Sequence, residues 1–153
     1  MVDKALFSSD SAEWETPQSL FDQLNKEFHF EIDVCATAEN KKCENWLGHG
    51  PGDVFTDGLR HSWGNQVCWC NPPYGREVGV WVEKACRESL KGATVVCLLP
   101  SRTDTRWFHD WVLGKAEIRF IRGRLKFQGA PSSAPFPSVL AIYRPVISGY
   151  KVG

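Results

Sequence analysis

A chain of 153 residues is long enough to bury the core of one domain without disulfide or metal staples, and too short for two such domains. No apolar run approaches the ~18 residues of a membrane span and no signal-peptide pattern opens the chain, so a cytoplasmic protein with no membrane partner is expected. The formal net charge is zero, which argues against a surface wholly given to nucleic acid.

The charge is unevenly spread. Residues 1–100 hold 9 Lys/Arg against 15 Asp/Glu, whereas residues 101–153 hold 9 against 3. Within the second part, "KAEIRFIRGRLK" (115–126) sets five basic residues against one acid, a pattern that suits either a phosphate-binding face or a solvated strand. The six cysteines, in a chain with no secretory signal, read as buried reduced thiols. Only Cys68 and Cys70 are close, and their spacing puts both sulfurs on one face of a strand. His29, His49, His61 and His109 share no ligand spacing, so no metal site is expected.

In chain order, residues 1–13 are polar and are expected to form a flexible segment. A single domain over 14–146 and a short tail, 147–153, follow. "TPQSLFDQLNKEF" (16–28) predicts a helix with Thr16 as N-cap, Pro17 in the first turn and Leu20, Phe21, Leu24 and Phe28 on one apolar face. "HFEIDVCA" (29–36) predicts a buried strand and "TAENKKCENWL" (37–47) a short helix, broken by Gly48, Gly50, Pro51 and Gly52. After an irregular stretch a strand is expected at 66–70, then a helix over 76–92 with Val78, Trp81, Val82 and Ala85 inward. "ATVVCLLP" (93–100) is a strand covered on both sides. "TDTRWFHDWVLG" (103–114) predicts a helix capped by Thr103 or Asp104, with Trp107, Phe108, Trp111 and Val112 inward. "EIRFI" and "RLKF" around Gly123 suggest a hairpin or bent pair, and a Pro/Ser/Gly loop (128–137) leads to a last strand, "SVLAIYR".

Strands alternating with helices predict an α/β layer fold with a mostly parallel sheet, whose ligands sit outside the carboxyl ends of the strands. That rule brings Asp33 to Ala36, Asn71 to Tyr74 and Pro100 to Arg102 to one rim. There, "VCWCNPPYG" (67–75) ends a strand in two prolines, which cannot donate to a sheet ladder. An amino group on an aromatic or amide carbon is a poor nucleophile because its lone pair is delocalised. Two fixed acceptors for its two N–H groups return that lone pair to nitrogen, and the Asn71 oxygen with the Pro72 carbonyl offers such a pair. Pro73 completes the turn, and Tyr74 is placed to stack on a flat substrate.

A strand followed by Asn-Pro-Pro-Tyr is similar to the motif of S-adenosylmethionine-dependent methyltransferases that modify amino groups. Beyond it, "EWETPQSLFDQLN", "FEIDVCATAENKKC", "DGL" before "SWG", "LLPSRTDTRWFH", "IRFIRGRLKF" and "APFPSVLAIY" occur in an order that resembles the phage-type (Dam-like) DNA N6-adenine methyltransferase family over about residues 13–145.

The resemblance implies a Rossmann-like class I methyltransferase fold, with helices on both faces of the sheet, in a bacterial or phage-infected cell. It implies that Asn71 and Pro72 accept from the N6 amino group and that Tyr74 stacks on a flipped adenine. Thr16 and Pro17 would lie beside the methionyl end of the cofactor, Asp33 would face its amino group with Cys35 and Ala36 beyond, and Asp57 would sit near its adenosine. A helix cap is the other role open to Asp33. The segment "DVCATAEN" departs from the usual glycine-rich turn by having no glycine.

A duplex hides adenine N6, so the base must flip out while cations grip phosphates; Arg102, Arg122, Arg124 and Lys126 are the candidates. Only about 30 residues separate the first strand from the proline motif, too few for a target domain. Base reading would therefore fall to short loops, with 123–137 foremost, although its prolines could serve only to stiffen it. RNA adenine, a protein glutamine amide, or a catalytically silent nucleic-acid-binding module are the alternatives. Trp14 and Trp69 are assigned no role.

Overall fold

The computed structural model describes residues 14–48 and 57–146. The expected flexible segment 1–13, the tail 147–153 and the Gly50-Pro51-Gly52 break with His49 lie outside the described residues.

Helix α1 (Gln18–Phe28) buries Phe21 and Leu24, the inward face that the apolar spacing predicted. It starts one residue later than expected. Pro17 is the N-cap, with an extended ψ of 129°, and no side chain caps the helix. Thr16 is drawn off to another partner, the Asn71 amide. Strand β1 is only Ile32–Asp33, because the Asp33 carboxylate accepts from the backbone N–H groups of Cys35 and Lys42 and turns the chain at once.

The helix expected over 37–47 is absent. Thr37 and Asn40 bond each other's backbone N–H groups at 3.1 and 2.7 Å, a local competitor that draws these residue types out of helices. The segment instead returns alongside β1, where a bridge between Asp33 and Trp46 covers the open sheet edge. No residue from 33 to 42 has a positive φ, so this turn needs no glycine.

Asp57 caps a single 3₁₀ turn, Gly58–Arg60. A Cβ on Gly58 would stand 2.1 Å from the Val34 carbonyl oxygen and 3.0 Å from the Trp81 ring, so only glycine fits. Strand β2 (Val67–Cys70) and helix α2 (Val78–Leu90) follow, with Val78, Trp81, Val82 and Ala85 buried as predicted. Strand β3 (Thr94–Pro100) is buried along nearly its whole length. Helix α3 (Arg106–Trp111) is shorter than expected and is capped by Thr105, not by Thr103 or Asp104. Phe108 and Val112 are buried, whereas Trp107 and Trp111 are only partly covered.

Strand β4 (Glu117–Phe120) does not pair with 124–127, which is not a strand; it pairs with β5 (Ser138–Tyr143). Gly123, at φ 74°, turns the chain aside, and the Leu125 carbonyl accepts from Ala134 N–H instead of a ladder partner.

The sheet runs β1-β2-β3-β5-β4. Strands β1, β2 and β3 are parallel, and β5 is antiparallel to both of its neighbours. The sheet is therefore mixed rather than mostly parallel in its pairings, and β5 alone runs against the other strands. Because paired residues share a face, Trp69, Leu140 and Arg119 lie on one side, where Phe21 of α1 meets Trp69 and Arg119 pairs with Glu27. On the other side the Tyr143 hydroxyl donates to the Trp111 carbonyl at 2.6 Å, which places α3 and its neighbour α2 there. Gly58→Ala is expected to cost about 3 kcal/mol or more in urea unfolding, since a backbone carbonyl cannot yield to the new methyl. A loss under ~0.5 kcal/mol would contradict this packing.

Candidate active site

Parallel pairing sets the ends of β1, β2 and β3 along one rim. The inverted β5 starts there, with Ser138 opposite Pro100, and β4 ends there. On the α1 side of that rim lies a small recess, open to solvent. Thr16, Asp33, Cys35, Asn71, Pro72 and Pro73 line it, together with Trp14, Glu15, Asn40, Lys42 and Trp69. Two segments distant in sequence and the end of β2 thus meet in one place.

The Asn71 amide is fixed from one side. Its Nδ2 donates to the Trp14 carbonyl and, at 3.1 Å, to Thr16 Oγ1. With both Nδ2 hydrogens engaged, Oδ1 is left buried and without a partner. A buried acceptor in this state costs about 1–3 kcal/mol unless a ligand satisfies it. The 14–16 segment that holds Asn71 is itself pinned. Trp14 packs on Phe127 and Phe136, each at 5.3 Å, and Gln128 N–H donates to the Glu15 carbonyl at 2.9 Å.

Asp33 is buried and lines the recess. Burial pushes its carboxyl from 3.8 up to about 7, against the opposing pull of the Lys42 and Cys35 N–H groups and the Lys42 charge. It caps no helix; it clamps the turn that follows β1. Ala36 is buried behind the lining, where its N–H donates to the Leu47 carbonyl.

Pro17 and Asp57 are not brought to the recess. The Asp57 carboxylate is spent on Leu59 N–H and on Arg60, 3.6 Å away. Tyr74 is also apart from it: the ring is buried against Phe127 and Phe136, and its hydroxyl donates to the Leu98 carbonyl at 3.2 Å.

Arg102, Arg122, Arg124 and Lys126 are exposed, and among the described residues none of them joins a salt bridge. Arg102 follows β3, and the other three follow β4, at the rim that carries the recess. Arg119 differs, being held by Glu27 and Glu117 at 2.7 and 2.6 Å. The cysteines form no disulfide. Burial raises the Cys68 and Cys70 thiols above their ordinary range, so neither is primed as a thiolate.

Sequence reasoning missed the Trp14 carbonyl, Asn40 and Lys42, which serve through backbone or loop position. It also missed Ser138, whose buried Oγ lacks a partner at the same rim. Trp14, two residues before Thr16, was the one available signal.

Because the Asp33 carboxyl binds its proton more tightly folded than unfolded, folding stability should be undiminished below about pH 4 and fall as pH rises to about 7. At 1.36 kcal/mol per pH unit the loss approaches ~4 kcal/mol. Asp33→Asn should flatten that interval in urea titrations at several pH values, and an unchanged slope would contradict the assignment.

Residues 4–152 match the family model described as DNA N-6-adenine-methyltransferase (Dam). The chain is also 30% identical over 115 residues to the DNA N-6-adenine-methyltransferase of Haemophilus phage HP1 (strain HP1c1). That alignment covers 74% of this chain and 64% of the phage protein, just under two thirds of the relative's length. With the family match running over nearly every residue that builds the rim, the chain belongs to the DNA N-6-adenine-methyltransferase (Dam) family.

Proposed function

We propose that the protein transfers a methyl group from S-adenosylmethionine to the N6 amino group of adenine in DNA, on a Rossmann-like class I methyltransferase fold. The observation that carries this is the Asn71 amide, locked with its acceptor oxygen buried and unsatisfied at the end of β2. An acceptor held in that way suits a substrate that donates, such as an exocyclic amine. With the Pro72 carbonyl as second acceptor, both N–H groups of the amine would be held and its lone pair directed at the incoming methyl. The family match and the phage relative's name support adenine in DNA as the amine's bearer.

The recess lies outside the carboxyl ends of the parallel strands, where ligands of such sheets bind. Thr16, Asp33 and Cys35 line it, whereas Pro17, Ala36 and Asp57 lie outside its lining. Bound S-adenosylmethionine would supply the electrophilic methyl carbon. Asp33 fits a cationic group there, because a neighbouring ammonium stabilises the carboxylate that burial disfavours. The base would stack on Tyr74, which requires the partly exposed Phe136 to swing aside. The adenine must leave its duplex for this, while Arg102, Arg122, Arg124 and Lys126 hold the phosphates.

Purified protein incubated with S-adenosylmethionine and unmethylated genomic DNA should yield N6-methyl-2′-deoxyadenosine on nucleoside mass spectrometry. Asn71→Ala should lower the yield by about 100-fold or more. Absence of the modified nucleoside with wild type would overturn the reading. Replacing Arg122, Arg124 and Lys126 together by Ala should make the slope of log K against log salt for DNA binding shallower by about 2–3, at roughly 0.9 per contact. An unchanged slope would take these residues out of the interface.

A further inference from the structure

We infer that Thr16 is a positioning residue for Asn71, locking its amide plane in the orientation, oxygen toward the substrate, that the Trp14 carbonyl selects. This rests on the reading of Asn71 as an acceptor for a substrate amine. A primary amide has two faces: a half-turn about its last torsion exchanges Oδ1 for Nδ2. An Asn71 turned the wrong way would aim two N–H donors at an amine that itself donates, and no hydrogen bond could form. The Trp14 carbonyl can only accept, so it selects the orientation with Nδ2 toward it. Thr16 Oγ1 takes the other Nδ2 hydrogen at 3.1 Å and fixes the amide plane.

The local fold leaves Thr16 available for this. The helix start passes to Pro17, whose extended ψ of 129° keeps the Thr16 hydroxyl off the helix. The residue is 3% exposed, so water does not readily replace its hydroxyl. Aromatic packing of Trp14 on Phe127 and Phe136, with the Gln128 to Glu15 hydrogen bond, anchors the segment from behind. The constraint therefore runs from the 127–136 loop through residues 14–16 to one side chain at the end of β2.

Thr16→Val keeps the shape and removes the acceptor, and Thr16→Ser restores it. On methylation of DNA, Thr16→Val should lower kcat about tenfold with KM for S-adenosylmethionine within about twofold of wild type, and Thr16→Ser should recover most of the rate. A raised KM for S-adenosylmethionine with unchanged kcat would mean that Thr16 acts on the cofactor alone and would overturn the proposal. So would a Ser variant as slow as the Val variant.

A second measurement needs no activity. In ¹⁵N-labelled protein the Asn71 side-chain N–H pair, identified by its loss in Asn71→Ala, should exchange slowly with water. Exchange should quicken about tenfold in Thr16→Val and return in Thr16→Ser. Rapid exchange in wild type, or identical rates in wild type and Thr16→Val, would overturn the proposal. Should wild type methylate no DNA, the methyltransferase reading fails, and the exchange rates still decide the role of Thr16.

Discussion

The tie between the Asn71 amide and residues 14–16 is the contact on which the site depends. It joins positions 57 and 55 residues apart in the chain, and it forms where two prolines have ended the sheet ladder. Without it, the end of β2 would be an ordinary turn and the N-terminal segment would have no fixed course over the rim. With it, that segment becomes one wall of the recess, facing the buried Asp33 and the clamped turn behind β1. The Gln128 bond to Glu15 extends the same connection to the loop before β5.

Two groups at the rim are held in states that folding alone does not favour. Asn71 Oδ1 is buried with no donor, and Asp33 is buried with its carboxyl moved up to about 7. Conflicts of this kind, between a local rule and the structure, concentrate at functional sites. On the proposed reading each would be relieved by a donor: an N–H group at Asn71 and a cation at Asp33. Among the described residues, Ser138 Oγ and His61 Nε2 also lack a partner, but the buried acid away from the rim does not. Glu88, also buried, accepts from Trp63 N–H and pairs with Lys84 and Lys91.

How much was legible in the sequence follows from the range of the forces involved. Apolar spacing gave α1, α2, β3 and β5, because burial of a stripe or a continuous run is encoded in neighbouring residues. The gathering of Asp33, Asn71 and Pro100 at one rim followed from the rule for strand ends. The helix expected over 37–47 failed because Thr37, Asn40 and Asp33 bond backbone N–H groups, a competition that periodicity does not register. The hairpin at 117–127 failed because β4 found a partner in β5, and that choice is made by the sheet as a whole. The enclosure of Tyr74 by Phe127 and Phe136 was equally out of reach, since it arises from a loop more than fifty residues further on.

The most direct test of the central claim, that Asn71 Oδ1 is an acceptor reserved for an adenine amine, pairs a protein change with a base change. Two duplexes carrying the methylated sequence would be compared with S-adenosylhomocysteine present, one with adenine at the target and one with purine, which lacks the N6 amino group. Wild type should bind the adenine duplex about tenfold more tightly, the worth of one or so buried hydrogen bonds, and Asn71→Ala should bind both alike. A wild type indifferent to the amino group, or an Asn71→Ala variant that keeps the full preference, would contradict the account.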